Sequence, residues 1–513
     1  MIYEPLAYYN ALADKEIMWL AENYKYSGDF RELTIKTRSG VSWSDGQPFS
    51  AVDVAYTFNA LKELGAKVRW GLEVERSIET ATATDASTVV VQFKAASPRF
   101  FDLVTYKYDT GLFIVPKHVF EGKDWATFTH FDLSKGWPVT TGPWKVVQST
   151  SDEKTMDLRE DWWAARAGLA KMPAVQRVSY IPWPGEQKAI RAIKANEVDI
   201  TQTLSPNVFA DVFKQNKAIT TFTEQKPPFG YVDWWPISLW VNHEVAPFGD
   251  KDVRWALSYF IDRKPLIDAG LAGSGSTFPL PFPSYPGLKP YADAVKPILE
   301  KYNTLEFNPK KGEAILTGKG WKKDIKGMWA DSQGKPLTIE IIGTTAVASI
   351  GSIIAETLKV QGVDATFSVP SDAMSRFQRG KYSGMISGHI GSVRDPYNTL
   401  RLYHSGEVET NKDISTARTA NLSRWRNPEY DKITDNFFAT DMNDKASLTA
   451  LWKQAMEIWI PELPDIVLTE FYQRPPMNTI YWKNWPNAKN AYINSSCQYL
   501  TWPIVLWNLE AVR

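Results

Sequence analysis

Between Glu32 and Leu64 the hydrophobic period of the chain switches from two to 3.6, and this switch most constrains the fold. "ELTIKT" (Glu32 to Thr37) alternates as a strand does, whereas "AVDVAYTFNALKEL" (Ala51 to Leu64) reads as a helix with Ser50 as its N-cap. The linking "RSGVSWSDGQPFS" supplies an Asp45-Gly46 turn and a proline, Pro48, that cannot continue a ladder. A second strand reads at "TVVVQFK" (Thr88 to Lys94). From Leu337 to Val369 the order is strand "LTIEII", helix "VASIGSIIAETLKVQG", strand "DATFSV", with Gly362 closing the helix. The class is α/β with antiparallel hairpins, and the βαβ unit marks a separate α/β lobe.

Two proline-rich breaks, "KPPFGYVDWWP" (Lys226 to Pro236) and "TFPLPFPSYPGLKPY" (Thr277 to Tyr291), bracket the run "DKDVRWALSYFIDRKPLIDAGLA". Val253, Ala256, Leu257 and Phe260 fall at helical spacing in it, which predicts a helix with a buried face. The 513 residues are 44% hydrophobic, enough for two or three lobes with real cores. Lysine plus arginine number 58 and aspartate plus glutamate also 58, so no net field draws the chain to nucleic acid or an anionic membrane. No stretch approaches the roughly 20 apolar residues of a spanning helix. Cys497 stands alone, which excludes an intrachain disulfide and reads as inert filling. Tryptophan is the unusual total: 22 indoles beside 22 tyrosines and 24 phenylalanines predict that some rings face a ligand.

Enzyme chemistry finds little support in the motifs. The five histidines include no pair at ligand spacing, and "HEVAPF" lacks the second histidine of a zinc-protease helix, so no metal site is expected. "GSGST" (Gly273 to Thr277) and "TGKG" (Thr317 to Gly320) miss the phosphate-loop spacing, and no cofactor is expected. The rival class is a glycoside hydrolase, which needs two carboxyl groups about 5 to 10 Å apart flanking the bond.

The stretch "LTIKTRSGVSWSDGQPFSAVDVAYTF" resembles the strand, turn and helix of the extracellular solute-binding proteins of family 5, the oligopeptide, dipeptide, nickel and oligosaccharide receptors of bacterial ABC importers. "FIVPKHVFEG" (Phe113 to Gly122), "TTGPWKV" (Thr140 to Val146), "AIRAIKANEVDI" (Ala189 to Ile200) and "LWVNHEVAPFGDKDVRWALSYFIDR" (Leu239 to Arg263) are similar to further family blocks, in order. So are "FNPKKGEAIL", the βαβ unit and "RGKYSGMISGHIGSVRDPYNTL" (Arg379 to Leu400), so the resemblance spans nearly the whole chain. It implies a type II periplasmic-binding-protein-like fold of two lobes around a cleft, with an extra α/β subdomain inserted in the first lobe. The expected division is 1–28, 176–239 and 470–513 for the first lobe, 29–175 for the insert and 240–469 for the second lobe. It also implies a periplasmic or membrane-anchored extracellular monomer that closes on its ligand and hands it to a transmembrane permease. Family members carry an export signal and a first strand upstream of "IYEPL", so the expectation is a shortened chain with part of one lobe's sheet missing.

In peptide-binding relatives an aspartate three positions before an acidic-Pro pair anchors the peptide's ammonium. Here the pair is Asp395-Pro396 and the earlier position is Ser392, whose neutral hydroxyl cannot compensate a buried ammonium. An oligosaccharide of two to five units is therefore the expected ligand, with an oligopeptide as the alternative. Pyranose rings lie on indole and their hydroxyls seek polar side chains. "VDWWPISLWVN" offers Trp234, Trp235, Trp240 and Asn242, with the strand alternation allowing only one of Trp234 and Trp235 to face the ligand. "GHIGSVRD" offers Gly388, His389, Gly391, Ser392, Arg394 and Asp395, its glycines read as allowing close approach of a ligand to the backbone. Trp70 is the candidate from the insert, Trp43 is expected to be structural, and "WPNAKNAYIN" (Trp485 to Asn494) has no assigned place. Core packing is the competing assignment for every one of these rings, and a local ion pair is the competing one for Arg394 and Asp395.

Overall fold

The computed structural model describes residues 2–389, 391–409 and 421–512. The chain forms two compact units: Met1–Leu204, Val208–Gln225 and Arg474–Arg513 make the first, and Ser205–Asn207 with Lys226–Gln473 make the second. The 29–175 segment lies inside the first unit. Residues 226–239 and 470–473, expected with the first lobe, fall in the second unit. Their own pairing explains this: Tyr231–Val232 pairs antiparallel with Tyr472–Gln473, and the Asp233 N–H donates to the Phe471 carbonyl at 2.8 Å.

In the first unit, β1 (Ala21–Tyr26), β2 (Glu32–Thr37), β3 (Ile78–Asp85) and β4 (Thr88–Phe93) form an antiparallel sheet in the order β1-β2-β4-β3. Helix α1 (Ala51–Leu64) begins as its sequence predicts. The Ser50 hydroxyl accepts from the Val52 N–H, and Asp53 accepts from the Ser50 N–H at 2.9 Å, closing a capping box. The other Asp53 oxygen accepts from the Lys117 N–H at 2.9 Å, which ties the helix start to the first residue of the distant short helix Lys117–Phe120. Gly46, at φ 86°, turns the chain, and Trp43 is buried in the core as expected. A second sheet, β5 (Trp144–Ser149), β6 (Lys154–Leu158) and β7 (Arg177–Tyr180), is antiparallel in that order.

The second unit is organised on one five-stranded sheet: β8 (Ile237–Val241), β9 (Thr338–Ile342), β10 (Asp364–Ser368), β11 (Gly384–Gly388) and β12 (Asp465–Thr469), in the order β10-β9-β11-β8-β12. β9 runs parallel to β10 and β11, whereas β8 is antiparallel to both its neighbours. Helix α3 (Ala348–Val360) links β9 to β10 as the predicted βαβ unit, and Gly362 follows it at φ 90°. The Pro-bracketed run forms α2 (Lys251–Phe260), with Val253, Ala256, Leu257 and Phe260 all buried. It stops there, earlier than the pattern implies, because Asp262 caps a new turn and the buried Arg263 guanidinium donates to the carbonyls of Ile261, Thr304 and Val467.

The alternation of β8 sets the two faces of this sheet. Ile237, Leu239 and Val241 join Ile339, Ile341 and Ile386 in one apolar core beneath α2 and α3. Ser238 and Trp240 face the opposite way, opposite Ser387 and Met385 of β11.

Candidate ligand-binding wall

Trp234 and Trp235 lie between the two-residue strand at Tyr231–Val232 and β8, outside regular strand geometry, and both are half-buried. The alternation expected of a strand therefore does not apply to them. Asp233 holds the segment: one oxygen accepts from the Trp234 N–H at 2.8 Å, and the other accepts from Gln473 Nε2 at 2.8 Å. The Trp235 ring meets Phe471 edge-on, with centroids 5.6 Å apart.

Gly388 and Gly391 serve these two tryptophans. A Cβ on Gly388 would stand 2.1 Å from Trp235 Cδ2, and one on Gly391 would stand 1.8 Å from the Trp234 carbonyl oxygen. The close approach that sequence reading assigned to a ligand is filled by the chain's own residues, a correction with a steric cause.

Trp240 is not a wall residue. It is 0% exposed, its ring packs on His389, Phe377 and Tyr403, and its indole N–H donates to the Ser387 carbonyl at 3.2 Å. His389, 1% exposed, likewise turns inward. Its Nε2 lies 2.8 Å from Ser238 Oγ and 3.0 Å from Asp465 Oδ2, and Nδ1 lies 3.4 Å from the Tyr403 hydroxyl. Tyr403 donates to Asp465 Oδ2 at 3.1 Å, and burial raises its pKa well above the ordinary phenol value, keeping that donor protonated. Consecutive residues of an extended chain point to opposite faces, so Gly388 meets Trp235 while His389 meets Trp240.

Asn242 and Ser392 are also spent internally. Asn242 Nδ2 donates to the carbonyls of Gly380 and Tyr382 at 3.0 and 3.1 Å, and its Oδ1 accepts from the Glu244 N–H at 3.0 Å. The buried Ser392 hydroxyl accepts from the Thr399 N–H at 2.9 Å and lies 2.8 Å from Thr399 Oγ1. Asp395 is buried and accepts from the Tyr397 N–H at 3.0 Å, while Arg394 is half-buried.

Glu470 was not foreseen. One of its oxygens accepts from the Ser284 N–H at 2.9 Å and the other from the Ser276 hydroxyl at 2.6 Å. Its only sequence signal is an acid directly after the apolar run of β12. In the first unit, Trp70 is half-buried with φ 67°, and the Arg69 guanidinium sits 5.2 Å from its ring. Trp485 also belongs to the first unit, where its indole N–H donates to the Asn478 carbonyl at 3.0 Å. Among the described residues there is no group of three His, Cys, Asp or Glu able to hold a metal ion, and no helix is long and apolar enough to cross a membrane.

The topology defines the class first: an α/β protein with the type II periplasmic-binding fold. A solved Thermotoga maritima protein, a periplasmic oligopeptide-binding protein of an oligopeptide ABC transporter with mannohexaose bound, superposes with a TM-score of 0.80 at 24% identity, covering 100% of this chain and 93% of that one. The nickel-binding periplasmic protein of Escherichia coli K12 is 27% identical over 78% of this chain and 72% of its own length. The dipeptide-binding protein of the same organism is 22% identical over 91% and 83%. The model of the bacterial extracellular solute-binding proteins, family 5 Middle, matches residues 15–411, and the chain belongs to that family. It is thus a solute-binding receptor of the ABC-transporter type, from a family of transport proteins that work outside the cytoplasmic membrane, with a small-molecule ligand and membrane permease partners.

Proposed function

We propose that this receptor captures a neutral oligosaccharide against Trp234 and Trp235 for delivery to its permease. The observation that carries the reading is the pair of adjacent half-buried indoles, with Gly388 packed on the Trp235 ring and Gly391 on the Trp234 carbonyl, neither position admitting a side chain. Indole presents a flat apolar face to the C–H face of a pyranose, and its rigidity keeps the ordering cost low. Both oxygens of the neighbouring Asp233 and Glu470 carboxylates accept hydrogen bonds within the protein. The mannohexaose held by the Thermotoga relative supports the same reading. Micromolar affinity corresponds to about −8 kcal/mol, within reach of a few stacked rings and neutral hydrogen bonds.

An oligopeptide is the second reading, favoured by the dipeptide-binding relative. A thermal-shift panel of di- to hexasaccharides against di- to pentapeptides separates the two, because a ligand at 100 times its Kd stabilises by about 2.7 kcal/mol. Stabilisation by sugars alone is expected; stabilisation by peptides alone transfers the assignment to the second reading.

A further inference from the structure

Helix α1 buries one face in the core of the first unit and leaves a second face uncovered. Val52, Tyr56, Asn59 and Glu63, at spacings of four, three and four, share that second face. They line a cavity of about 660 Å³ together with residues 81–83 of β3, the edge strand of its sheet, and with residues 121–123 and Trp125. All of these residues belong to the first unit. Four of the lining residues are alanines, whose short side chains keep the space open.

The walls are fixed by bonds of the chain itself. The Asn59 amide takes both backbone groups of Ala81, donating to its carbonyl at 2.7 Å and accepting from its N–H at 3.0 Å, and Lys62 Nζ donates to the Glu79 carbonyl at 2.6 Å. These bonds tie α1 to the outer edge of β3. The Asp53 bond to the Lys117 N–H places the segment that follows, and the buried Phe120 meets Trp125 edge-on with centroids 5.2 Å apart. A site built this way loses little in ordering when a ligand enters.

Ring geometry and charge select the occupant. Tyr56 and Trp125, both half-buried, stand with centroids 6.1 Å apart and planes inclined at 52°. Such a corner offers no common plane for the flat face of a sugar, whereas a compact cation is attracted by ring faces at any inclination to one another. Lys117 lies 3.4 Å from Glu121, and the Lys123 ammonium lies 5.9 Å over the Phe128 ring, but Glu63 has no ion-pair partner among the described residues. Burial, and then the Glu121 and Glu63 carboxylates, raise the Tyr56 phenol above its ordinary value, so negative potential reaches the corner. With no group of three His, Cys, Asp or Glu able to hold a metal ion among the described residues, the cation that fits is organic.

We propose that this cavity binds a small organic cation of the methylated-ammonium class, with the Tyr56 and Trp125 rings against its methyl groups and the Glu63 carboxylate compensating its charge.

Trp125 reports on the site directly. The test is fluorine NMR of the full chain carrying 5-fluorotryptophan, titrated with choline and with its uncharged isostere 3,3-dimethyl-1-butanol; the Trp125 resonance is the one missing from Trp125→Phe. A saturable shift of that resonance by choline is expected, with an affinity at least tenfold above that for the isostere. Glu63→Gln, at an exposed position, should weaken choline at least fivefold with an unchanged melting temperature. Tyr56→Leu should weaken it as well, and Tyr56→Phe, which keeps the ring, should restore it. Equal affinity for the isostere overturns the proposal, as does undiminished affinity in Glu63→Gln. No saturable shift by choline in the folded parent overturns it without reliance on any variant, and so does an equal shift of all tryptophan resonances, the mark of a general salt effect. A shift of the Trp125 resonance by mannohexaose overturns it in favour of a sugar surface. None of these outcomes depends on which ligand the Trp234–Trp235 wall takes.

Discussion

Gly388 lies directly beneath the indole of Trp235: a Cβ at position 388 would stand 2.1 Å from ring atom Cδ2. No rotamer of alanine avoids that contact, because Cβ is fixed by the backbone. Gly388→Ala should therefore displace the Trp235 ring, costing about 1–3 kcal/mol of stability as overpacking does. Ligand affinity should fall at least tenfold, about 1.4 kcal/mol. Urea unfolding and calorimetric titration read the two effects separately; unchanged affinity in a folded variant would remove Trp235 from the wall.

Trp240 should behave in the opposite way to Trp234 and Trp235. Its ring is sealed among His389, Phe377 and Tyr403, so Trp240→Ala opens a large cavity and should cost about 3–5 kcal/mol. Single alanine substitutions at Trp234 and Trp235 should cost less stability and more affinity. Denaturation midpoints with matched binding isotherms for the three variants give the comparison.

His243 makes the second unit sensitive to acid. Burial pushes its pKa down to about 3 from 6.5, and Nε2–H donates to the Pro464 carbonyl at 2.9 Å. The folded state thus holds the ring neutral while the unfolded chain protonates it below about 6.5. The stability it contributes is complete above that value and is lost as pH falls toward 3, with a slope of up to about 1.4 kcal/mol per pH unit. In His243→Gln this component should disappear from the pH dependence of unfolding. A parallel pair of curves for parent and variant between pH 7 and 4 would contradict the assignment.

Glu4 should show the reverse sign in the first unit. Its buried carboxylate accepts from the indole N–H groups of Trp162 and Trp163 at 3.3 and 2.8 Å, yet burial outweighs these bonds and raises its pKa above 4.5. A raised folded-state value contributes stability below about 4.5 that is lost as pH rises through the folded value. Relative to Glu4→Gln, the parent should lose stability from pH 4.5 upward, as followed by chemical denaturation across that range.

What was legible in the sequence is what local pattern controls. The capping box at Ser50 and Asp53, the Asp45-Gly46 turn and the βαβ unit with Gly362 each depend on residues within a few positions of one another. Trp240 and His389 were misread because residue type does not say which face of β8 and β11 is covered. The covering groups, Phe377, Tyr403 and Asp465, come from more than 100 residues beyond Trp240. The glycines at 388 and 391 announced a close approach correctly, but only the packed chain shows that its object is the tryptophan pair. The end of α2 at Phe260 was hidden for a similar reason, since Arg263 is buried by carbonyls from distant segments.

The measurement that bears most directly on the central claim is saturation-transfer difference NMR on manno-oligosaccharides and on tri- to pentapeptides, with the parent and a Trp234→Ala, Trp235→Ala double variant. The account predicts saturation of the ring C–H protons of a sugar by the parent, lost in the double variant while its fold is retained. Saturation of peptide protons with none on any sugar, or sugar signals undiminished in the double variant, would contradict it.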